Sequence, residues 1–103
     1  MTAWKDLERR VCSALGGRRA GPQGAAVSDC IGTPYAVECK RTKLDGPAVR
    51  GAWVKQARAQ SRNEDRPWLL VVAGHNDRHP IAVMDFYALV QVLHKAGLIS
   101  ADA

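Results

Sequence analysis

At 103 residues, with 47% hydrophobic and 24% charged side chains, the chain is long enough for one domain with a modest core. No apolar run approaches the ~18 residues a membrane helix needs. The opening Met1-Thr2-Ala3-Trp4-Lys5-Asp6 also lacks the apolar segment of a secretory signal, so a cytoplasmic protein without a membrane partner is expected. The net charge is +5 and its surplus is confined: residues 1–66 carry 13 Lys/Arg against 7 Asp/Glu, and residues 67–103 carry 2 against 3. Such a basic surface attracts polyanions, nucleic acid first among them. Cys12, Cys30 and Cys39 are odd in number and have no CxxC spacing, which argues against a zinc site or a disulfide framework and predicts reduced, partly buried thiols.

The first element is a helix from about Ala3 to Leu15 with Thr2 as its N-cap. Trp4, Leu7, Val11, Ala14 and Leu15 gather into one apolar stripe, and Glu8 falls inside it. A carboxylate facing a core needs a partner: an arginine at the stripe's edge, or a metal shared with other acids. Gly16-Gly17 ends the helix. The basic, glycine-rich Arg18-Arg19-Ala20-Gly21-Pro22-Gln23-Gly24 reads as irregular chain, a plain connection or a loop laid along phosphates. Neither GxxxxGK[ST] nor GxGxxG occurs, so no nucleotide cofactor is expected.

Ala26 to Ile31 and Tyr35 to Lys40 read as two strands joined through Gly32-Thr33-Pro34. Alternation puts Ala36, Glu38 and Lys40 on one side of the second strand, with Tyr35, Val37 and Cys39 on the core side. If the hairpin loop has an even number of residues, Asp29 lies directly opposite Glu38. Two carboxylates and a lysine then share one patch, a setting suited to a hard divalent cation.

Arg41-Thr42-Lys43 makes a basic exit from that strand. Pro47 opens a helix to about Arg62 that groups Val49, Ala52, Trp53, Gln56, Ala57 and Gln60, with Lys55, Arg58 and Arg62 elsewhere. Asn63 to Pro67 form a turn. Trp68 to Ala73 is a continuous apolar strand covered on both faces. In the polar loop from Gly74 to Pro80, nothing makes His75 and His79 converge on a metal. Ile81 to Met84 form a short strand, and Asp85 caps a last helix with Phe86, Leu89, Val90 and Leu93 on one face and Gly97 as its stop. Leu98-Ile99 predicts either a homodimer contact or packing within the domain. The order is helix, two- or three-stranded meander, helix, strand, strand, helix: one α/β domain with a small mixed sheet flanked by helices.

Glu8 on the first helix, Asp29 at one strand end, Glu38-Cys39-Lys40 on the next strand and a following helix with Gln60 (or Gln56) together resemble the PD-(D/E)XK nuclease pattern, with Ser28 where the pattern has proline. Trp4-Lys5, Glu8-Arg9-Arg10, Leu15-Gly16-Gly17-Arg18-Arg19, Ser28-Asp29, Tyr35 to Lys40 and Ala59-Gln60 resemble small phage and archaeal-type Holliday junction resolvases. The resemblance implies a restriction-endonuclease-like core and a homodimer acting on four-way DNA junctions in recombination and repair. It implies that Glu8, Asp29, Glu38 and the Cys39 carbonyl hold Mg²⁺ (Mn²⁺ substituting), with Lys40 and Gln60 completing the catalytic set. Arg9, Arg10, Arg18, Arg19, Arg41, Lys43 and Lys55 are the expected contacts to DNA, and a phage origin in a bacterial host is a further expectation. A nicking or other structure-selective endonuclease, and a basic DNA-binding module without catalysis, are the alternatives.

Overall fold

The computed structural model describes residues 3–21, 27–75 and 78–100, and the side chains from residue 5 onward. The predicted Thr2 cap, the Trp4 side chain, the Pro22 to Ala26 loop and strand start, and Asn76-Asp77 lie outside the described residues. The elements are helix α1 (Ala3–Ala14), strands β1 (Arg18–Arg19), β2 (Cys30–Ile31) and β3 (Ala36–Arg41), helix α2 (Gly51–Glu64), strands β4 (Trp68–Ala73) and β5 (Ile81–Val83), and helix α3 (Phe86–Lys95). No described helix is long and apolar enough to cross a membrane.

A mixed sheet of order β3-β4-β5 lies at the centre, with β3 parallel and β5 antiparallel to β4. All six residues of β4 are buried because both faces are covered, as its unbroken apolar run predicts. One face packs Leu69, Val71, Val37 and Cys39 against Leu7 and Cys12 of α1. The other packs Trp68, Leu70 and Val72 against Ala57 of α2, with Trp53 and Val54 beside them. Each such aliphatic side chain contributes about 1.5–3 kcal/mol on burial, so β4 is the main source of stability.

Several expectations change. The predicted meander does not form: β2 pairs antiparallel with β1 in a separate two-stranded sheet, and β3 takes β4 as its ladder partner. Arg18–Arg19, expected to be irregular, is the strand that makes this possible. Gly17 permits it, since a Cβ there would collide with the Ile31 carbonyl. Ala36, assigned to the functional side of its strand, is fully buried because α2 covers that face too.

Helix α2 starts at Gly51, not Pro47, because residues 42–46 first cross the ends of β3 and β4. The His75 N–H donates to the Leu44 carbonyl at 2.7 Å, and Gly74 admits that crossing where a Cβ would strike the Asp45 carbonyl. The helix also runs two residues further than expected and stops on Asp65 in the left-handed conformation, φ 52°.

The cysteine expectation is overturned. Cys12 and Cys30 form a disulfide that ties α1 to β2, and only Cys39 is a free thiol. Their Cα atoms lie 5.3 Å apart, within disulfide reach, because both project into the α1-side core.

Candidate functional site

Among the described residues strand β3 has a strand partner, β4, on one side, which leaves the backbone groups of its other edge to a non-strand segment. Asp29 occupies that edge. Its N–H donates to the Val37 carbonyl at 2.7 Å, and its Oδ2 accepts from the Cys39 N–H at 2.7 Å. Asp29 is therefore brought beside Glu38 by one backbone bond and its own side chain, without the hairpin ladder expected from alternation. The carboxyl is pushed up to about 7, first by burial and then by the Glu38 charge, with Glu8 adding to the effect; the Cys39 N–H and Lys40 oppose it.

Glu38 is buried and receives three donors. Gln60 Nε2 reaches Oε2 at 2.9 Å, Gln56 Nε2 reaches Oε1 at 3.4 Å, and Lys40 Nζ stands 3.3 Å from Oε1. Both glutamines of α2 thus face Glu38, one helical turn apart, and Gln60 is the better bonded and fully buried of the two. Glu8 is also buried and accepts from Arg19 Nε at 2.7 Å. Arg19, expected on DNA phosphates, here turns inward onto that acid.

The Cys39 thiol is pushed far above its ordinary range by burial and then by the neighbouring Asp29 charge, so it is no nucleophile at neutral pH.

A group missed in the sequence holds Asp29 in place. Glu64, the last residue of α2, accepts from the Ser28 N–H at 2.8 Å and from Ser28 Oγ at 2.7 Å. Arg66 bonds Glu64 and the Thr33 carbonyl, clamping both ends of the segment that carries Asp29. The sequence read 63–67 as a turn because only the fold brings Glu64 to Ser28, 36 residues away. Burial alone would raise the Glu64 carboxyl, but the hydrogen bonds from Ser28 and Arg66 outweigh it and hold it below its ordinary range. A carboxyl depressed in the folded state adds stability above the ordinary carboxylate range, and that stability is lost as pH falls through the depressed value. Glu64→Gln is expected to cost about 1–3 kcal/mol at pH 7. Melting curves of both proteins from pH 7 to pH 3 should converge toward the acid end; a constant difference would mean that Glu64 acts by packing alone.

Among the predicted DNA contacts, Arg9, Arg10, Arg18, Lys43 and Lys55 are exposed, although Arg10 also pairs with Asp6 at 3.4 Å. Arg41 is half-buried and donates to the Gly74 and His75 carbonyls at 2.9 and 3.1 Å. With Lys43, Arg50 and Trp53 it lines a cleft in which no acidic side chain is found among the described lining residues. Arg50 lies over the Trp53 ring, 5.4 Å from its centroid. Arg50 and Trp53 were not foreseen as a pair, though their i, i+3 spacing at a helix start was a readable signal.

The chain matches no family model, no curated protein and no solved structure.

The donors suit a hard cation. Asp29 and Glu38 offer carboxylate oxygens, and the crowding of Asp29, Glu38 and Glu8 that raises the Asp29 carboxyl is what a bound cation relieves. Among the described residues no three His, Cys, Asp or Glu side chains converge closely enough to form a complete cage.

Proposed function

We propose that this chain is a Mg²⁺-dependent endodeoxyribonuclease of the PD-(D/E)XK type, with a restriction-endonuclease-like core, that hydrolyses phosphodiesters in four-way DNA junctions. The observation that carries the reading is the convergence of Asp29, Glu38 and Lys40 on the edge and exit of one strand, with charge crowding enough to lift the Asp29 carboxyl to about 7. Asp29 and Glu38, with Glu8 and the Cys39 carbonyl as further oxygens, would hold the cation. When bound, Mg²⁺ lowers the pKa of a coordinated water and neutralises charge on the scissile phosphate.

The chain's own groups do the remaining work. Lys40 directs its ammonium at the attacking water or at the charge that builds on the phosphate. Gln56 and Gln60 fix the Glu38 carboxylate, so that it is pre-oriented. Ser28, Glu64 and Arg66 do the same for the Asp29 segment. The exposed Arg9, Arg10, Arg18, Lys43 and Lys55 contact the sugar-phosphate backbone, which gives salt-sensitive, sequence-tolerant binding. Paired cuts on opposed strands ask for two sites related by a two-fold axis.

A second reading has its own support: Glu8–Arg19 and Glu38–Lys40 are ion pairs, the arrangement of a DNA-binding module without catalysis. One experiment separates them. A synthetic immobile four-way junction and a matched linear duplex are incubated with the protein in Mg²⁺ or in EDTA. Symmetric paired nicks in the junction alone, absent in EDTA, are expected. Equal cutting of both substrates reduces the reading to a general nuclease, and binding without cutting favours the module.

A further inference from the structure

Arg10, Arg19, Lys40, Arg58 and Arg66 each stand beside a carboxylate. Three other cations gather at the exit of β3 with no carboxylate partner among the described residues. Arg41, Lys43 and Arg50 line a cleft of about 460 Å³, with Trp53 beside them. That volume falls within the ~300–1,000 Å³ of sites that hold small ligands.

The walls of the cleft are held in place. Thr42 is buried and its hydroxyl donates to the Gly46 carbonyl at 3.1 Å, while the His75 N–H holds the Leu44 carbonyl at 2.7 Å. The Arg41 guanidinium is fixed by the Gly74 and His75 carbonyls, neutral acceptors that leave its charge uncompensated. The exposed Arg50 guanidinium covers the half-buried Trp53 ring, 5.4 Å from its centroid, which makes a flat cationic shelf. Helix α2 starts on the same side. Its N-cap Arg50 makes no side-chain cap bond and its first turn has no acid, so the positive end of the helix adds to the field.

Such a cleft suits a ligand that is both anionic and flat. We infer that it takes one unpaired nucleotide of a DNA strand, with the base stacked on Arg50 and Trp53 and the phosphate between Arg41 and Lys43. A paired duplex offers its phosphates to the cations but keeps its base faces covered, so it has no use for the shelf. An unpaired base uses both, whatever its identity, because every base has a π-face. The place of the cleft fits. Arg41 directly follows Lys40 on β3, and Trp53 lies one helical turn before Gln56, which donates to Glu38. At ~3.3 Å per strand residue and ~1.5 Å per helical residue, the cleft begins within about 5 Å of those groups along each element. That is one or two nucleotide steps of ~3.4 Å. The inference rests on the DNA reading above and narrows its substrate: the strand is unpaired next to the cut, as at a branch, a flap or a bulge.

The test is binding of the full chain, in EDTA, to three short labelled duplexes read by fluorescence anisotropy. One is fully paired, one has a single extra thymine nucleotide, and one has an extra abasic nucleotide in the same place. The abasic duplex keeps the added phosphate and the flexibility but has no ring to stack. Wild type is expected to bind the thymine duplex about tenfold more tightly than the abasic one. Trp53→Ala and Arg50→Ala are each expected to reduce that ratio to within about twofold of one. Equal binding of the thymine and abasic duplexes by wild type overturns the inference, as does a thymine preference that survives in both variants. Trp53 packs beside the α2-side core, so Trp53→Ala could fail to fold; the exposed Arg50→Ala and the wild-type comparison then decide. A protein that binds none of the three sinks the DNA reading and this inference together. A protein that keeps the thymine preference but never cuts DNA in Mg²⁺ sinks only the nuclease reading.

Discussion

Asp29→Asn is expected to abolish Mg²⁺-dependent cutting while raising the melting temperature of the metal-free protein at pH 8. On the proposed function the loss follows from removing a carboxylate that would hold the cation; a fall of about 10²–10³ is the scale for removing one group that acts on the reacting centre. The gain in stability follows from linkage. The Asp29 carboxyl titrates near 7 in the fold against 3.8 in free chain, so the folded state keeps a proton that the unfolded state has lost. Stability therefore falls as pH rises from about 4 to about 7, and by pH 8 the full penalty is present. The span corresponds to about 4 kcal/mol at 1.36 per unit, and partial exposure reduces it to an expected 1–2 kcal/mol. The Asn carbonyl can still accept from the Cys39 N–H, so the geometry survives. Melting curves at pH 5 and pH 8 check this: the variant should gain fully at pH 8 and about a third as much at pH 5. Mg²⁺ should stabilise wild type at pH 8 and leave the variant unchanged. A variant that still cuts removes Asp29 from the catalytic set, and one that is less stable at pH 8 contradicts the crowding of charge.

Reducing the Cys12–Cys30 disulfide is expected to lower stability substantially. The bond spans 18 residues of sequence, and closing a loop of that size in the unfolded chain contributes roughly 3 kcal/mol. For a domain of about 100 residues that corresponds to a fall of ~10–20 °C in melting temperature. The site should loosen as well, because Cys12 lies one helical turn beyond Glu8 and Cys30 directly follows Asp29. The bond thus holds two acid-bearing segments against β3. Melting with and without reducing agent gives the size of the effect, and a Cys12→Ser/Cys30→Ser double variant should no longer respond to it. Alkylation of the denatured, unreduced chain should label one cysteine, Cys39. Three labels would mean that the bond is not formed.

The sequence was most legible where a pattern is local. The apolar run Trp68 to Ala73 could only be a strand covered on both faces, and it is the buried centre of the sheet. The first and last helices read correctly from their 3.6-residue period, with Leu7, Val11 and Leu15 of the α1 stripe turned to the core, and the two glutamines one turn apart on α2 do meet one acid. Glu8, Glu38 and Lys40 stood out because a charged group among apolar neighbours demands a partner; Asp29 stood out from strand alternation, and Gln60 from its helix face and the nuclease resemblance.

Composition and local pattern thus carried the α/β class, the main helices and strands, and the acids, lysine and glutamines that need partners. Which partners they find depends on contacts between segments far apart in the chain. Glu8 takes Arg19, Ser28 takes Glu64 across 36 residues, and Cys12 takes Cys30, because the fold sets these pairs side by side and no periodicity encodes such distances. The strand pairing was decided there too. An alternating strand states which side chains share a face but not which neighbour supplies its ladder, and β3 gained more by joining the buried β4 than by folding back on β2. Exposure belongs to the same class: the apolar arc of α3 was readable, but that the single chain leaves it uncovered is a property of how the layers stack.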